Sequence, residues 1–344
     1  MLANWFESYV SAMELNYWTG TTLTEGHYDV AAGCWEVTLK RGDETRTMRP
    51  RHLVFATGVS AIPIMPDLPG LDDFGGTVMH SGAYTEGRAW AGKRALVIGT
   101  GNSAHDVAQD LHACGADVTM VQRASTHIVS LSEAQRVYML YNEGPPTRDC
   151  DLLAAAMPFP VLKEAYRAAT QISKDIDKDL LDGINAAGFR TNDGIDDCGF
   201  QMSYLQRGGG YYFNVGCSDL IAAGKIKVLP YDQIDRFCAE GAKLTSGKVV
   251  DADLIVMATG YKNQQDTARV FVGDAVADRI GPVWGFGDDG ELNNMWKRTP
   301  QPGLWFTAGS LAQCRIFSRF LALQIKACEE GMLPLTRGEQ EATQ

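Results

Sequence analysis

Residues 94–107, Arg-Ala-Leu-Val-Ile-Gly-Thr-Gly-Asn-Ser-Ala-His-Asp-Val, decide how this chain is read. Ala95–Ile98 is a short apolar run of strand type, and the next six residues follow the pattern G-x-G-x-x-[GA]. Val107, Leu111 and Cys114 then recur at helical spacing, on the face expected to turn inward. In such a unit the first glycine permits a tight turn and the second lets a pyrophosphate approach the backbone. The small Ala104 allows the helix to pack closely on the strand. The helix N-terminus offers amide hydrogens and its positive dipole end to phosphate. Gly99, Thr100, Gly101, Asn102, Ser103 and Ala104 are therefore the expected dinucleotide-binding residues. The competing reading is a glycine turn with a structural role alone.

Ala116–Gln122 reads as the following strand and completes one βαβ unit. Which dinucleotide is bound depends on the residues just beyond it. A carboxylate there accepts a hydrogen bond from a ribose 2′-hydroxyl but repels a 2′-phosphate, which a guanidinium can pair. This chain carries Gln122-Arg123 and then Ser125 and Thr126, so the turn is assigned to NADP(H), with Arg123 and Ser125 added to its contacts. The alternative is that Arg123 is a solvated surface charge.

Outward from that unit, Leu2, Trp5, Phe6, Tyr9, Val10 and Met13 mark a one-faced helix. Cys34–Lys40 and Glu44–Met48 flank Arg41-Gly-Asp as a hairpin, and His52–Ala56 reads as a short buried strand entering Thr57-Gly58. Pro63, Pro66 and Pro69 exclude a helix over residues 59–73. Residues 130–206 alternate helical patches with polar turns, Gly208-Gly-Gly210 opens a turn, and residues 225–250 suggest short strands. Asp253–Tyr261 echoes Leu53–Gly58, each strand running into Ala-Thr-Gly. The simplest architecture is one domain left at Gly58 and resumed before Gly260, with a second inserted between; two unrelated strands are the plainer alternative.

With 344 residues, 45% of them hydrophobic and 21% charged, the chain has the composition of an ordinary globular protein, enough for about two domains at ~150 residues each. A formal net charge of −11 leaves no basic stripe for nucleic acid or an anionic membrane. The apolar runs are too short to span a bilayer, and the N-terminal residues lack the pattern of a secretory signal. The eight cysteines form no C-x-x-C pair, which disfavours a disulfide reductase, and the six histidines show no metal-ligand spacing. A cytoplasmic location and no bound metal are expected; a homo-oligomer is left open.

Phe74-Gly-Gly-Thr-Val-Met-His-Ser-Gly-Ala-Tyr84 fits F-x-G-x-x-x-H-x-x-x-Y. With the proline-rich approach and the Ala-Thr-Gly strands, it makes the chain resemble the class B flavin-dependent monooxygenases, which include the YUCCA-like enzymes, over residues 1 to about 335. Baeyer–Villiger enzymes of this kind carry Trp where Tyr84 stands, which leans toward the flavin-containing branch, although Thr85 occupies a place often held by Lys or Arg. The resemblance implies an α/β fold of the two-dinucleotide-binding-domain flavoprotein type, a Rossmann-like NADPH domain inserted in a partial FAD-binding domain. The expected divisions are 1–88, the first part of the FAD domain; 89–250, the NADP(H) domain with its helical insertion at 130–206; and 251–344, the return of the FAD domain. Both FAD and NADP(H) are implied, with Thr57, Gly58, Thr259, Gly260, Ser310 and Leu311 on the flavin side.

Ser310 and Leu311 lie in Gly303–Arg315, which resembles the strand-to-helix passage facing a flavin ring; a core strand and a capped helix is the plainer reading. His80 and Tyr84 are motif positions with a support role, and no catalytic acid or base is assigned. The implied reaction is NADPH- and O2-dependent oxygenation of a small organic substrate at nitrogen, sulfur or carbonyl carbon. Baeyer–Villiger oxidation of ketones and a non-catalytic NADP-binding remnant are the alternatives. The family's first G-x-G-x-x-G turn, for FAD, has no counterpart in this sequence, so a chain poor in FAD and of low activity on its own is expected.

Overall fold

The computed structural model describes residues 1–337; the end of the 251–344 segment, residues 338–344, lies outside the described residues. Helical spacing of apolar residues does produce a helix at Leu2–Ala12 (α1), yet it buries none of them. Leu2, Trp5, Phe6, Tyr9 and Met13 all stay exposed, so the stripe expected to meet a core faces outward.

Thr21–Asp29 (β1), Cys34–Arg41 (β2) and Glu44–Met48 (β3) form an antiparallel meander whose second hairpin turns at Gly42, φ +58°. The sequence reading missed β1, whose polar residues and bulge between Leu23 and Glu25 break any alternation. Leu53–Phe55 (β4) buries Phe55 and exposes Val54, because one of its faces is uncovered; it is not the buried strand expected. The proline-rich connector holds a single 3₁₀ turn, Leu71–Asp73.

Thr77–His80 (β5), Arg94–Ile98 (β6), Asn102–Ala113 (α2) and Asp117–Gln122 (β7) follow. Helix α2 buries Ala104, Val107, Ala108 and Leu111. Cys114, expected on that face, is only half-buried because the helix has ended and this residue caps it. His127–Ser130 (β8) leads into the helical region: Leu131–Ala134 (α3), Met139–Asn142 (α4), Thr147–Ala155 (α5), Phe159–Ile176 (α6), Lys178–Ala186 (α7) and Gly199–Arg207 (α8). Tyr211–Asn214 (β9) pairs in parallel with β8, and Cys217–Ala222 (α9) and Lys227–Pro230 (β10) come next. Ile234–Cys238 (β11), Gly241–Leu244 (β12) and Val249–Asp251 (β13) make a second antiparallel sheet. Leu254–Met257 (β14), Gln264–Val272 (α10), Asp274–Ile280 (α11), Leu304–Phe306 (β15) and Leu311–Glu329 (α12) complete the order.

The centre is a parallel five-stranded sheet in the order β10-β7-β6-β14-β5. Parallel strands covered on both faces carry unbroken apolar runs, as Ala95–Ile98 and Leu254–Met257 do. Ala95, Val97, Leu254 and Val256 pack with Leu111, Ile184 and Ile221 on one face. Leu96, Ile98, Ile255 and Met257 meet Phe74, Phe237 and Ala242 on the other. A separate core joins Trp35, Phe55, Val272, Trp284, Trp305 and Leu321.

The two strands that run into Ala-Thr-Gly are placed differently. β14 lies between β6 and β5, covered on both faces, while β4 pairs only with β15. The sheet takes β5 from before residue 88 and β14 from after residue 250. Leu254–Met257 runs in register with Ala95–Ile98 and with Thr77–His80.

Candidate functional site

The glycine turn sits where β6 hands over to α2. Gly99 has φ +123°, and a Cβ there would collide with the carbonyl oxygen of Ala258, which follows β14. Gly101 differs. Its φ and ψ of −85° and −171° suit any residue, and a Cβ would find only Tyr211 O, at 3.9 Å. The fold itself therefore makes no demand for glycine at this position, and the space outside the turn is open. No side chain caps α2 and no acidic residue lies in its first turn, which leaves the positive end of the helix open to an anion. Ala104 is wholly buried, as close helix–sheet packing demands.

Surrounding groups hold this turn in place. The hydroxyls of Thr100 and Thr126 are 2.6 Å apart and buried. Asn102 Oδ1 accepts from the Phe213 amide at 3.1 Å, tying the turn to β9. The sequence reading gave no role to His105, one turn further on, although its ring is fully buried. It stacks on Tyr212 at 3.8 Å and 7°, and Nδ1 donates to Gly101 O at 3.1 Å. Nε2 has no partner. Burial pushes this imidazole down to about 4, against the backbone bonds to Gly101 and Thr100 that favour the charged form.

Beyond β7, Gln122 is 1% exposed and clasps the main chain of Arg190: Nε2 donates to Arg190 O at 2.9 Å and Oε1 accepts from its amide at 2.7 Å. Arg190 Nη2 in turn donates to Gln122 O (3.1 Å) and Arg123 O (2.9 Å). Ser125 Oγ accepts from Asn192 Nδ2 at 2.9 Å. The expected Arg123 and Ser125 are therefore brought to one corner with Thr100 and Thr126. Arg123's side chain is exposed and makes no ion pair among the described residues. Arg190 was not foreseen, because nothing in its local sequence links it to a strand 68 residues away.

His80 lies at the C-terminal end of β5, 6% exposed. Nε2 donates to Gly260 O at 3.0 Å and Nδ1 accepts from the Gly82 amide at 3.0 Å, so both ring nitrogens are used. Tyr261 meets it edge-on at 5.0 Å. Tyr84 donates to Asp110 Oδ2 at 2.6 Å in the last turn of α2, at the opposite end from the glycine turn. Burial raises the Tyr84 phenol well above its ordinary range, and the bond to Asp110 and its charge add to this.

The six flavin-side residues fall into two groups. β4 and β15 are parallel neighbours, so the Thr57-Gly58 and Gly309-Ser310 turns emerge side by side. Thr259 and Gly260 lie instead beyond β14, with Thr259 Oγ1 donating to Ile64 O at 2.5 Å. Gln264 Nε2, donating to Gly58 O at 2.6 Å, links the groups. Ser310 caps α12 in a reciprocal pair: its Oγ accepts from Gln313 N (3.3 Å) while Gln313 Oε1 accepts from Ser310 N (3.1 Å). Tyr204 OH accepts from Ser310 N at 3.0 Å and donates to Gln313 Oε1 at 2.5 Å, a contribution from α8 that sequence spacing could not reveal. Leu311 is exposed. The Ser310 and Gln313 amides at this helix end are thus engaged by protein, and Gln313 fills the space beside Gly309. Among the described residues, Gly99–Ala104 is the turn of the form G-x-G-x-x-[GA] that joins a strand of the five-stranded sheet to a helix.

A parallel sheet, a glycine turn opening a helix and a basic corner after the next strand define a Rossmann-type dinucleotide-binding protein. The chain belongs to the flavin-binding monooxygenase-like family, whose model matches residues 14–267. Among its relatives, indole-3-pyruvate monooxygenase YUCCA1 of Oryza sativa subsp. japonica is 30% identical over 259 residues, covering 75% of this chain and 58% of the relative. The probable indole-3-pyruvate monooxygenase YUCCA3 of Arabidopsis thaliana is 28% identical, covering 75% and 56%. The chain therefore spans less than two thirds of the length of these relatives.

The fold is that of the two-dinucleotide-binding-domain flavin monooxygenases. Cyclohexanone monooxygenase bound to ε-caprolactone superposes with a TM-score of 0.64 at 18% identity, over 99% of this chain and 76% of the other. The OTEMO complex with FAD and NADP gives 0.62 at 16% identity, over 96% and 71%. No helix among the described residues is long and apolar enough to cross a membrane.

Proposed function

We propose that this chain carries the NADP(H)-binding half of a flavin-dependent monooxygenase, an enzyme class that oxygenates a small organic substrate with O2. The observation that supports it most is the contrast between the two glycines. Gly99 is required by the fold, while Gly101 has an ordinary backbone conformation and leaves the space outside the turn open to a ligand. The pyrophosphate would lie against Gly99–Ala104 at the end of α2, with the 2′-phosphate in the corner of Arg123 and Ser125. NADPH bound there supplies a hydride. His80 keeps the end of β5 fastened to Gly260.

FAD is the second cofactor of this reading, and its pyrophosphate finds no cradle among the described residues. Thr57, Gly58, Thr259, Gly260, Ser310 and Leu311 are proposed to border the flavin side, His80 and Tyr84 to support the fold beside the site.

The test is a pair of titrations on the purified chain. NADP+ should bind at one site per chain and FAD should be absent after purification and weakly held when added. A yellow chain with stoichiometric FAD and substrate-stimulated NADPH oxidation would overturn the FAD-poor part of the proposal. Failure to bind NADP+ or NAD+ would overturn the whole of it.

A further inference from the structure

We propose that Arg190, from the far end of the helical insertion, is the residue that sets preference for a 2′-phosphorylated dinucleotide, and that Asp232 restrains it until the phosphate arrives. The inference rests on the dinucleotide reading of the glycine turn.

The corner is built around Arg190's backbone. Its amide and carbonyl are held by the buried Gln122 side chain, and the same carbonyl accepts from Thr126 N at 3.1 Å. A position this constrained is unusual for an arginine on a loop. The side chain is also oriented, with Nη2 shared between the carbonyls of Gln122 and Arg123, the last residue of β7 and the one after it. That is where a ribose-reading carboxylate would stand in a site for the unphosphorylated dinucleotide. A guanidinium with one nitrogen fixed still presents its remaining N–H groups in a rigid fork, suited to phosphate oxygens.

Nη1 faces Asp232 Oδ2 at 3.7 Å, too long for a hydrogen bond but close enough for attraction. Asp232 lies just after β10, the neighbour of β7, and its side chain is 70% exposed. It is free to swing away, and its charge opposes a phosphate placed beside Arg190. Arg123 has no such fixing, and must order its side chain on binding.

The experiment measures NADP+ and NAD+ affinity by calorimetry on the full chain and on Arg190→Met, Arg123→Met and Asp232→Asn. A charge-assisted paired contact should be worth about tenfold, so Arg190→Met should weaken NADP+ by at least about tenfold and leave NAD+ within about twofold. Arg123→Met should weaken NADP+ less, and Asp232→Asn should tighten it. NAD+ serves as the internal control for folding of the corner. Equal losses for both ligands would make Arg190 a structural brace and overturn the inference, as would no loss for either. A parent chain that prefers NAD+ overturns it too while sparing the turn; one that binds neither ligand overturns the reading of the turn together with the inference.

Discussion

Two glycines two positions apart ask different things of the same turn. Gly99→Ala places a methyl against Ala258 O at φ +123°, where L residues are strained, so it should destabilise the fold by about 2–4 kcal/mol. Gly101→Ala meets open space at an ordinary backbone conformation and should leave urea stability unchanged or slightly raised. It should nonetheless reduce NADP+ affinity by at least about tenfold, because its methyl occupies the path of the pyrophosphate. A Gly101→Ala chain that binds as tightly as the parent would detach the turn from dinucleotide binding. His105 makes a second residue-scale case. Its folded value, about 4, lies below the ordinary 6.5, so between those pH values the unfolded chain binds more protons than the folded one. Stability contributed by the neutral ring is complete above that window and is lost as pH falls through it. By this linkage His105 should account for ~2 kcal/mol of the loss between pH 7.5 and 5. His105→Phe keeps a ring on Tyr212 and should flatten that part of the pH profile; equal slopes in both chains would sink the assignment.

Elements were legible in the sequence to the extent that their stabilising contacts were local. The βαβ unit was readable because strand burial, turn glycines and helix spacing all fall within residues 94–122. β1 was not, since its threonines and bulge give no period, and the pairing with β2 supplies what propensity does not. The site divides the same way. Gly99–Ala104 are contiguous, whereas Arg190, on the loop after α7, and Tyr204, on α8, reach the site from distant parts of the chain and carry no motif. Helix α12 shows the mixture: Ser310 with Gln313 three residues later is a readable cap, but Tyr204 OH completes it from α8. Ser310→Ala and Tyr204→Phe should each cost about 1 kcal/mol, the ordinary value of a cap and of a partly buried hydrogen bond. Because both act on Gln313 and the Ser310 amide, the double variant should fall short of their sum by roughly 0.5 kcal/mol or more in urea unfolding. Strict additivity would mean that α8 and α12 are not coupled through this network.

At the scale of the whole molecule, the two terminal helices of the described residues expose apolar side chains. α1 presents Leu2, Trp5, Phe6, Tyr9 and Met13, and α12 presents Leu311, Phe320 and Leu323. Contiguous apolar area of this kind drives association in water, at roughly 25 cal/mol per Å2 removed from solvent. A net charge of −11 opposes it, because like-charged copies repel. The two effects respond differently to salt: screening weakens the repulsion and leaves apolar burial intact. The isolated chain should therefore self-associate with rising concentration, and more strongly at high ionic strength, when followed by sedimentation velocity. Replacing Leu2, Trp5 and Tyr9 by Ser should reduce that association without lowering the unfolding midpoint, since none of the three is buried in the fold. A parent chain that stays monomeric at high salt would show that these surfaces are too small or too divided to join. Association that survives the triple substitution would move the contact to α12.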